Sequence, residues 1–260
     1  MSTNQISRGR VLITGASSGI GAALARKFAR EGFDLILNAR RKEPMEELKV
    51  SYTGVDIQII TQDLSSQDGT KNLCRLIDDA SLQVDILVNN AATALSESFM
   101  DSSIEKIERL TTLNMTTATR LIHHFLPGMT QRRSGRILNV ASMASFHPVP
   151  SMALYAATKA YLLSLTESLA ENLKGTGVSI TALCPGMTAT DALNEKLANS
   201  IPQFIIAQPD QVAEEGFDAL MRHEVIRVPG EANKIAAAWG KHQPRWLLRS
   251  LGGLAAKLTQ

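Results

Sequence analysis

Eight residues constrain this chain more than any others: Thr14-Gly15-Ala16-Ser17-Ser18-Gly19-Ile20-Gly21. They stand between a β-branched apolar run, Val11 to Thr14, and an amphipathic stretch, Ala22 to Arg30. The glycine spacing suits a strand that turns at once into a helix. Gly15 permits the tight turn, while Gly19 and Gly21 let the backbone approach a pyrophosphate and the helix pack close. The unpaired amides and dipole at a helix start attract phosphate oxygens, and Ile20 lies in that first turn. Ser17 and Ser18 are placed to cap the helix or to donate hydroxyls to phosphate. A plain glycine-serine turn shows the same spacing, but the flanking strand and helix patterns favour the phosphate reading.

The rest of the chain repeats the same alternation. Apolar runs recur at 35–37, 57–60, 86–88, 137–140, 178–183 and 225–228, and helical patterns lie between them at 66–79, 152–173 and 210–221. Short continuous apolar runs are how strands covered on both faces read. Seven such strands separated by helices predict an α/β fold, a single Rossmann-type domain over 1–260 with a seven-stranded parallel sheet and helices on both faces. With 260 residues and 44% hydrophobic residues, the chain can bury such a core without disulfides or metals. Its two cysteines, Cys74 and Cys184, match a reducing compartment, and no histidine has ligand spacing with them, so no metal is expected. The adjacent His123 and His124 read as core or interface positions. Without an 18-residue apolar run or a signal-peptide core, the expected location is cytoplasmic.

The segments that follow strand ends are where an open α/β sheet binds ligands. After the second strand the chain reads Asn38-Ala39-Arg40-Arg41, with no carboxylate to hold a ribose diol. Two guanidinium groups suit a 2′-phosphate instead, which favours NADP(H) over NAD, although a solvated basic loop end reads alike. Asp63, after the third strand, is placed either to accept from an adenine amino group or to cap a turn. Of the three tyrosines only Tyr155 has a lysine four residues on, Lys159, which puts both on one helix face. An ammonium there would lower the phenol's ordinary pKa of about 10 and make it a proton-transfer group. In isolation the pair also fits an ordinary exposed helix. Ser142 follows the fifth strand, placed to hydrogen-bond a substrate carbonyl. Asn114 is placed to hold a water that passes protons towards Lys159.

Together these motifs resemble the short-chain dehydrogenase/reductase family over nearly the whole chain. The matching residues are Thr14 to Gly21, Asp63-Leu64, Asn89-Asn90-Ala91-Ala92, the tetrad Asn114, Ser142, Tyr155 and Lys159, and Pro185-Gly186 with Thr188 and Thr190. The resemblance implies Tyr155 as general acid–base. It implies that Lys159 binds the nicotinamide ribose and lowers the tyrosine pKa, that Ser142 orients the substrate oxygen and that Asn114 supports a proton relay. Cofactor contacts would come from Asn90 and from Pro185, Gly186, Thr188 and Thr190. It also implies hydride transfer between the cofactor and a carbonyl or alcohol carbon, and a homodimer or homotetramer through the long helices. Two departures stand out. The family usually has glycine where this chain has Ala92, and a positive φ there would cost about 1 kcal/mol. After the last strand the chain reads Val228-Pro229-Gly230 and runs on for thirty residues. It thereby lacks the Val-Asp-Gly-Gly-like ending common in 3-oxoacyl carrier-protein reductases and resembles the broad DltE-like branch, which is also similar to hydroxysteroid and 3-ketoacyl reductases.

Residues 187–208 are expected to form a substrate lid. Leu193, Leu197, Ile201, Phe204, Ile205 and Ile206 would join Met143, Phe146 and Val149 as an apolar wall. These side chains would equally serve to pack the lid onto the body. Residues 229–260 are expected to form a helical extension. From Arg222 to the end there are seven lysines and arginines against Glu224 and Glu231. Within that tail, 244–258 reads either as a basic amphipathic helix touching anionic lipid weakly or as a helix docked on protein. So short a cluster does not suggest nucleic acid. The reading favoured is an NADP(H)-dependent reductase of a hydrophobic ketone or 3-oxoacyl compound. An NAD-dependent alcohol dehydrogenase and a non-catalytic NADP-binding sensor are the alternatives.

Overall fold

The computed structural model describes residues 8–66, 68–95, 98–190, 206–241, 243–244 and 247–250. All seven expected strands are present: β1 (Arg10–Thr14), β2 (Asp34–Ala39), β3 (Ile57–Thr61), β4 (Ile86–Asn89), β5 (Gly135–Val140), β6 (Val178–Leu183) and β7 (Ile226–Arg227). They form one parallel sheet in the order β3-β2-β1-β4-β5-β6-β7. The order reverses between β1 and β4, and the crevice at that switch point is where such sheets bind dinucleotides.

Alternation along each strand explains the two cores. Val11 and Ile13 of β1 pack with Leu35, Leu37 and Val88 on one face. Helices α1 (Gly19–Arg30) and α7 (Pro209–Met221) cover that face through Leu24, Phe28 and Phe217. Leu12, Ile36, Leu87, Ile137 and Ile180 point the other way. There α3 (Gly69–Asp79), α5 (Thr117–Gln131) and α6 (Ala153–Asn172) bury Leu73, Leu121 and Leu169 against them.

Three further helices complete the fold, the last of them inside the expected extension 229–260. They are α2 (Glu43–Ser51), α4 (Ile104–Thr111) and α8 (Glu231–Lys241). The first buries only Met45 and Leu48, and the second only Leu110, so little of either pattern is apolar. A π-helical turn, Thr112–Thr116, joins α4 to α5. His123 and His124 lie on the exposed side of α5, not in the core, and His124 Nε2 is 3.2 Å from Asp78 Oδ1. The lid residues Leu193 to Ile205 fall outside the described residues, as do Arg245, Trp246 and 251–260 of the basic tail. Among the described residues no helix is long and apolar enough to cross a membrane.

Candidate active site

The turn after β1 is shaped by close approach. Gly15 has φ +68° and Gly19 φ +55°. A Cβ on Gly21 would stand 2.2 Å from the Gly15 carbonyl oxygen and 2.4 Å from Asn90 Nδ2. One on Gly19 would stand 2.9 Å from Thr190 Cγ2, so the segment after β6 leans on the phosphate loop. Ser18 is the N-cap of α1, but its hydroxyl makes no capping hydrogen bond. Capping therefore does not explain Ser18, and the first amides of α1 keep their donors.

Thr14 and Asn90 lock this turn to the one after β4. Thr14 Oγ1 accepts from the amides of Asn90 (3.0 Å) and Ala91 (3.1 Å) and donates to the Val88 carbonyl (3.2 Å). Asn90 Nδ2 donates to the carbonyls of Thr14 (2.9 Å) and Gly15 (3.2 Å). Its side-chain NH2 group thus braces the loop. Ala92 is not among the residues with positive φ, so the expected cost of alanine there does not arise.

Beyond β2, the buried Ala39 confirms that no carboxylate stands at the strand end. Arg40 and Arg41 are both exposed, and Arg40 forms no ion pair with any described residue. Asn38 holds β2 to β3 through Nδ2 to the Ile60 carbonyl (2.9 Å), and its own carbonyl accepts from the Ala16 amide (3.0 Å). Asp63 caps its own turn: Oδ1 accepts from the Ser65 amide (3.0 Å) and hydroxyl (2.6 Å). Arg109 of α4 reaches Oδ2 at 3.0 Å. These bonds, Ser65 foremost, hold its carboxyl below the usual range. Leu64 is a core side chain whose carbonyl accepts from Thr117 Oγ1 (2.8 Å).

The four residues of the tetrad converge at the C-terminal ends of β4 and β5. Ser142 begins the short turn Met143–Ser145 and accepts from the Ala144 amide at 3.1 Å. The turn is fixed to the segment after β6 by a Met143 amide bond to the Pro185 carbonyl (2.9 Å). The Ser142 side chain stands beside the Tyr155 phenol and acts to lower its pKa. One turn further along α6, Lys159 is 3% exposed, with Nζ donating to the Val140 carbonyl at 2.7 Å.

The electrostatics differ from the simple expectation. Burial pushes the Tyr155 phenol up, opposed only by the Ser142 hydrogen bond. Lys159 Nζ is 5.6 Å from the ring centroid and points to a backbone carbonyl. Burial also brings the Lys159 ammonium down to about 8. At pH 7 the centre therefore holds a neutral phenol and a charged amine.

Asn114 lies in the π-helical turn, and its side chain does not hold a water through its NH2 group. Both amide hydrogens are used, towards the Thr93 carbonyl (2.8 Å) and Thr158 Oγ1 (3.1 Å), while Oδ1 accepts from the Thr93 amide (2.9 Å). It clamps the chain after β4 to α6. Thr93, Thr158 and the Val140 carbonyl were not singled out from sequence. Their partners lie tens of residues away, where local pattern carries no signal.

After β6, Thr188 Oγ1 donates to the Gly186 carbonyl (3.1 Å), and Thr188 bridges to Ala207. A Cβ on Gly186 would stand 2.6 Å from Asn233 Nδ2, so α8 abuts this turn. Phe146 and Val149 line a cavity of ≈ 280 Å³ with His147 and the alanines of α6. Neither Tyr155 nor Lys159 lines it.

Several known proteins share this arrangement. The family model described as short chain dehydrogenase matches residues 9–200. A 7beta-hydroxysteroid dehydrogenase of Clostridium sardiniense is 30% identical over 227 residues, 86% of each chain. A short-chain dehydrogenase from Sphingobium yanoikuyae, solved in complex with NADPH, is 34% identical with a TM-score of 0.80, over 96% of this chain and 94% of that one. A bulky-bulky ketone specific alcohol dehydrogenase from Comamonas testosteroni is 30% identical with a TM-score of 0.74, over 91% and 95%. With its parallel sheet, glycine cradle and Ser-Tyr-Lys centre, the chain belongs to the short-chain dehydrogenase family, the oxidoreductases that interconvert CH–OH and C=O with a nicotinamide dinucleotide.

Proposed function

We propose that this chain is an NADP(H)-preferring reductase of a hydrophobic ketone or 3-oxoacyl compound, with Tyr155 as the general acid. The observation that carries the reading is the meeting of Ser142, Tyr155 and the buried Lys159, whose Nζ is 5.6 Å from the Tyr155 ring centroid. The cradle of Gly15, Gly19 and Gly21, where a Cβ would run into neighbouring protein atoms, leaves bare backbone at the start of α1 that suits a pyrophosphate. Arg40, exposed and without an ion pair among the described residues, supplies a guanidinium where a 2′-phosphate would lie. When bound, the nicotinamide supplies the hydride.

The protein's part is to bind, orient and hand over a proton. A carbonyl oxygen entering between the two hydroxyls would accept from both. Ser142 fixes its direction, and Tyr155 donates its proton to the oxygen as negative charge develops. The raised tyrosine pKa suits donation, because the phenol is fully protonated near neutral pH. Lys159 turns from the Val140 carbonyl to ribose hydroxyls and keeps positive charge behind the phenol. Asn114 holds the Thr93 segment against α6 and so fixes one wall of the site. Residues 187–208 serve as a lid over the substrate, with Pro185, Gly186, Thr188 and Thr190 against the dinucleotide. Small residues exposed on α6, including Ala157 and Ser164, suit close helix packing in a homodimer or homotetramer.

The test is a fluorescence titration of NADPH and NADH with wild type and Arg40→Ala, followed by a screen of apolar ketones for NADPH oxidation. A preference for NADPH that collapses in the variant supports the reading. Equal binding, or a preference for NADH, transfers the assignment to an NAD-dependent alcohol dehydrogenase. Tight NADPH binding with no turnover of any ketone would favour a sensor.

A further inference from the structure

Arg109 belongs to neither the glycine cradle nor the catalytic tetrad. It extends from α4 to the turn after β3, and one nitrogen, Nη2, donates to Asp63 Oδ2 at 3.0 Å and to Ser65 Oγ at 2.8 Å. Ser65 is itself bonded twice to Asp63 Oδ1. Each carboxylate oxygen accepts two hydrogen bonds, so Oδ1 is filled while Oδ2 has one position left. The arrangement selects a single acceptor atom and fixes its orientation. A lone carboxylate at a turn would rotate freely and offer either oxygen.

We infer that Arg109 is a positioning residue for the dinucleotide's adenine, holding Asp63 so that the remaining acceptor site of Oδ2 meets the adenine 6-amino group. This inference rests on the proposed dinucleotide reading and deepens it. Arg40 would distinguish NADPH from NADH through the 2′-phosphate. Arg109 would act on the base and treat both cofactors alike. Its charge also keeps Asp63 ionised, in line with the direction in which Ser65 and Arg109 move that carboxyl. An ionised carboxylate only accepts, and so favours an amino group over a carbonyl oxygen at the same place.

The hypoxanthine analogue of NADPH, in which the 6-amino group is replaced by oxo, makes the test specific. Kd values for NADPH and the analogue are measured by fluorescence titration on wild type, Asp63→Ala, Arg109→Met, Arg109→Lys and Arg40→Ala. Wild type is expected to prefer NADPH about tenfold, as for one hydrogen bond to a charged group. Asp63→Ala should abolish the preference, Arg109→Met should cut it to about threefold or less, and Arg109→Lys should restore most of it. Arg40→Ala should weaken both ligands equally and leave the ratio unchanged. A merely structural Arg109 would lower melting temperature without moving the ratio. Loss of preference in Asp63→Ala but not in Arg109→Met overturns the role of Arg109. Equal binding of the two ligands by wild type overturns the Asp63 contact and the inference with it. Failure of wild type to bind either ligand or NADH removes the dinucleotide reading itself, a result distinct from the other two.

Discussion

The phosphate loop and the Tyr155–Lys159 centre both lie at the C-terminal edge of the sheet, yet they are built from opposite materials. The loop is backbone. Its shape depends on the absence of side chains at Gly15, Gly19 and Gly21, and on Thr14 and Asn90 bonding to neighbouring main-chain groups. The catalytic centre is side chain, with a buried ammonium held by a single hydrogen bond beside a half-buried phenol. Adding an atom damages the first, and removing one damages the second. The loop's requirements agree with those of the fold, because the same glycines allow the strand-to-helix turn. Those of the centre conflict with it, because an ammonium in the core costs stability that only function explains.

The sharpest way to separate the two regions is Tyr155→Phe. It removes one hydroxyl and keeps the ring, so binding of NADPH should be unchanged while ketone reduction falls by about 10²–10⁴-fold. Parallel titration and turnover assays check this. A matching loss of cofactor affinity would mean that the centre also shapes the cofactor site.

Lys159→Met probes the conflict directly. The pKa of Lys159 is lowered from 10.5 to about 8, so between about 8 and 10.5 the folded protein binds fewer protons than the unfolded chain. Stability therefore rises with pH across that window, and below about 8 the full penalty of the charged form is present. Methionine removes the penalty but leaves the Val140 carbonyl without its donor. A net gain of about 1–2 kcal/mol is expected at pH 7, or roughly 2–8 °C in melting temperature, together with loss of turnover. The wild-type pH profile follows the same sign. The phenol stays protonated because its pKa is raised, so kcat/KM for reduction should be level up to about 8 and fall above it as Lys159 loses its proton. A rise above pH 8 would mean that a tyrosinate carries the activity.

The same contrast explains what could be read from sequence. Strands such as Leu35–Leu37 and Ile86–Val88 show as apolar runs because the pattern is local, and the glycine loop shows because backbone needs restrict residue type. Tyr155 and Lys159 are legible through helical spacing. The bonds that Asn90 and Asn114 make within the protein were not: an amide reads alike whether it faces a ligand or clamps a carbonyl, and their partners, Gly15 and Thr158, are 75 and 44 residues away. The direction of the Tyr155 shift was also hidden. It depends on burial and on where the lysine points, and spacing specifies neither.

Gly21→Ala tests the backbone side. Its methyl would stand 2.2 Å from the Gly15 carbonyl oxygen, which belongs to the turn itself and has no room to give. A loss of about 1–3 kcal/mol in denaturant unfolding is expected, with weaker NADPH binding. Turnover at saturating cofactor should suffer less than in Tyr155→Phe. If stability were unchanged, the loop would be more pliable than its close contacts imply.

The smallest effect is expected at Ala92. The family usually has glycine here, which suggests that restoring it would relieve strain. The geometry argues the reverse, since Ala92 has no positive φ and alanine already fits. Glycine would then only widen the range of conformations open to the unfolded chain, so Ala92→Gly should lower stability by about 0.4–1 kcal/mol without changing Kd or kcat. Urea unfolding of the two proteins measures the difference. A more stable variant would show that the turn after β4 carries strain after all. Of the two regions, the backbone-built one would then also hold a conflict between fold and function.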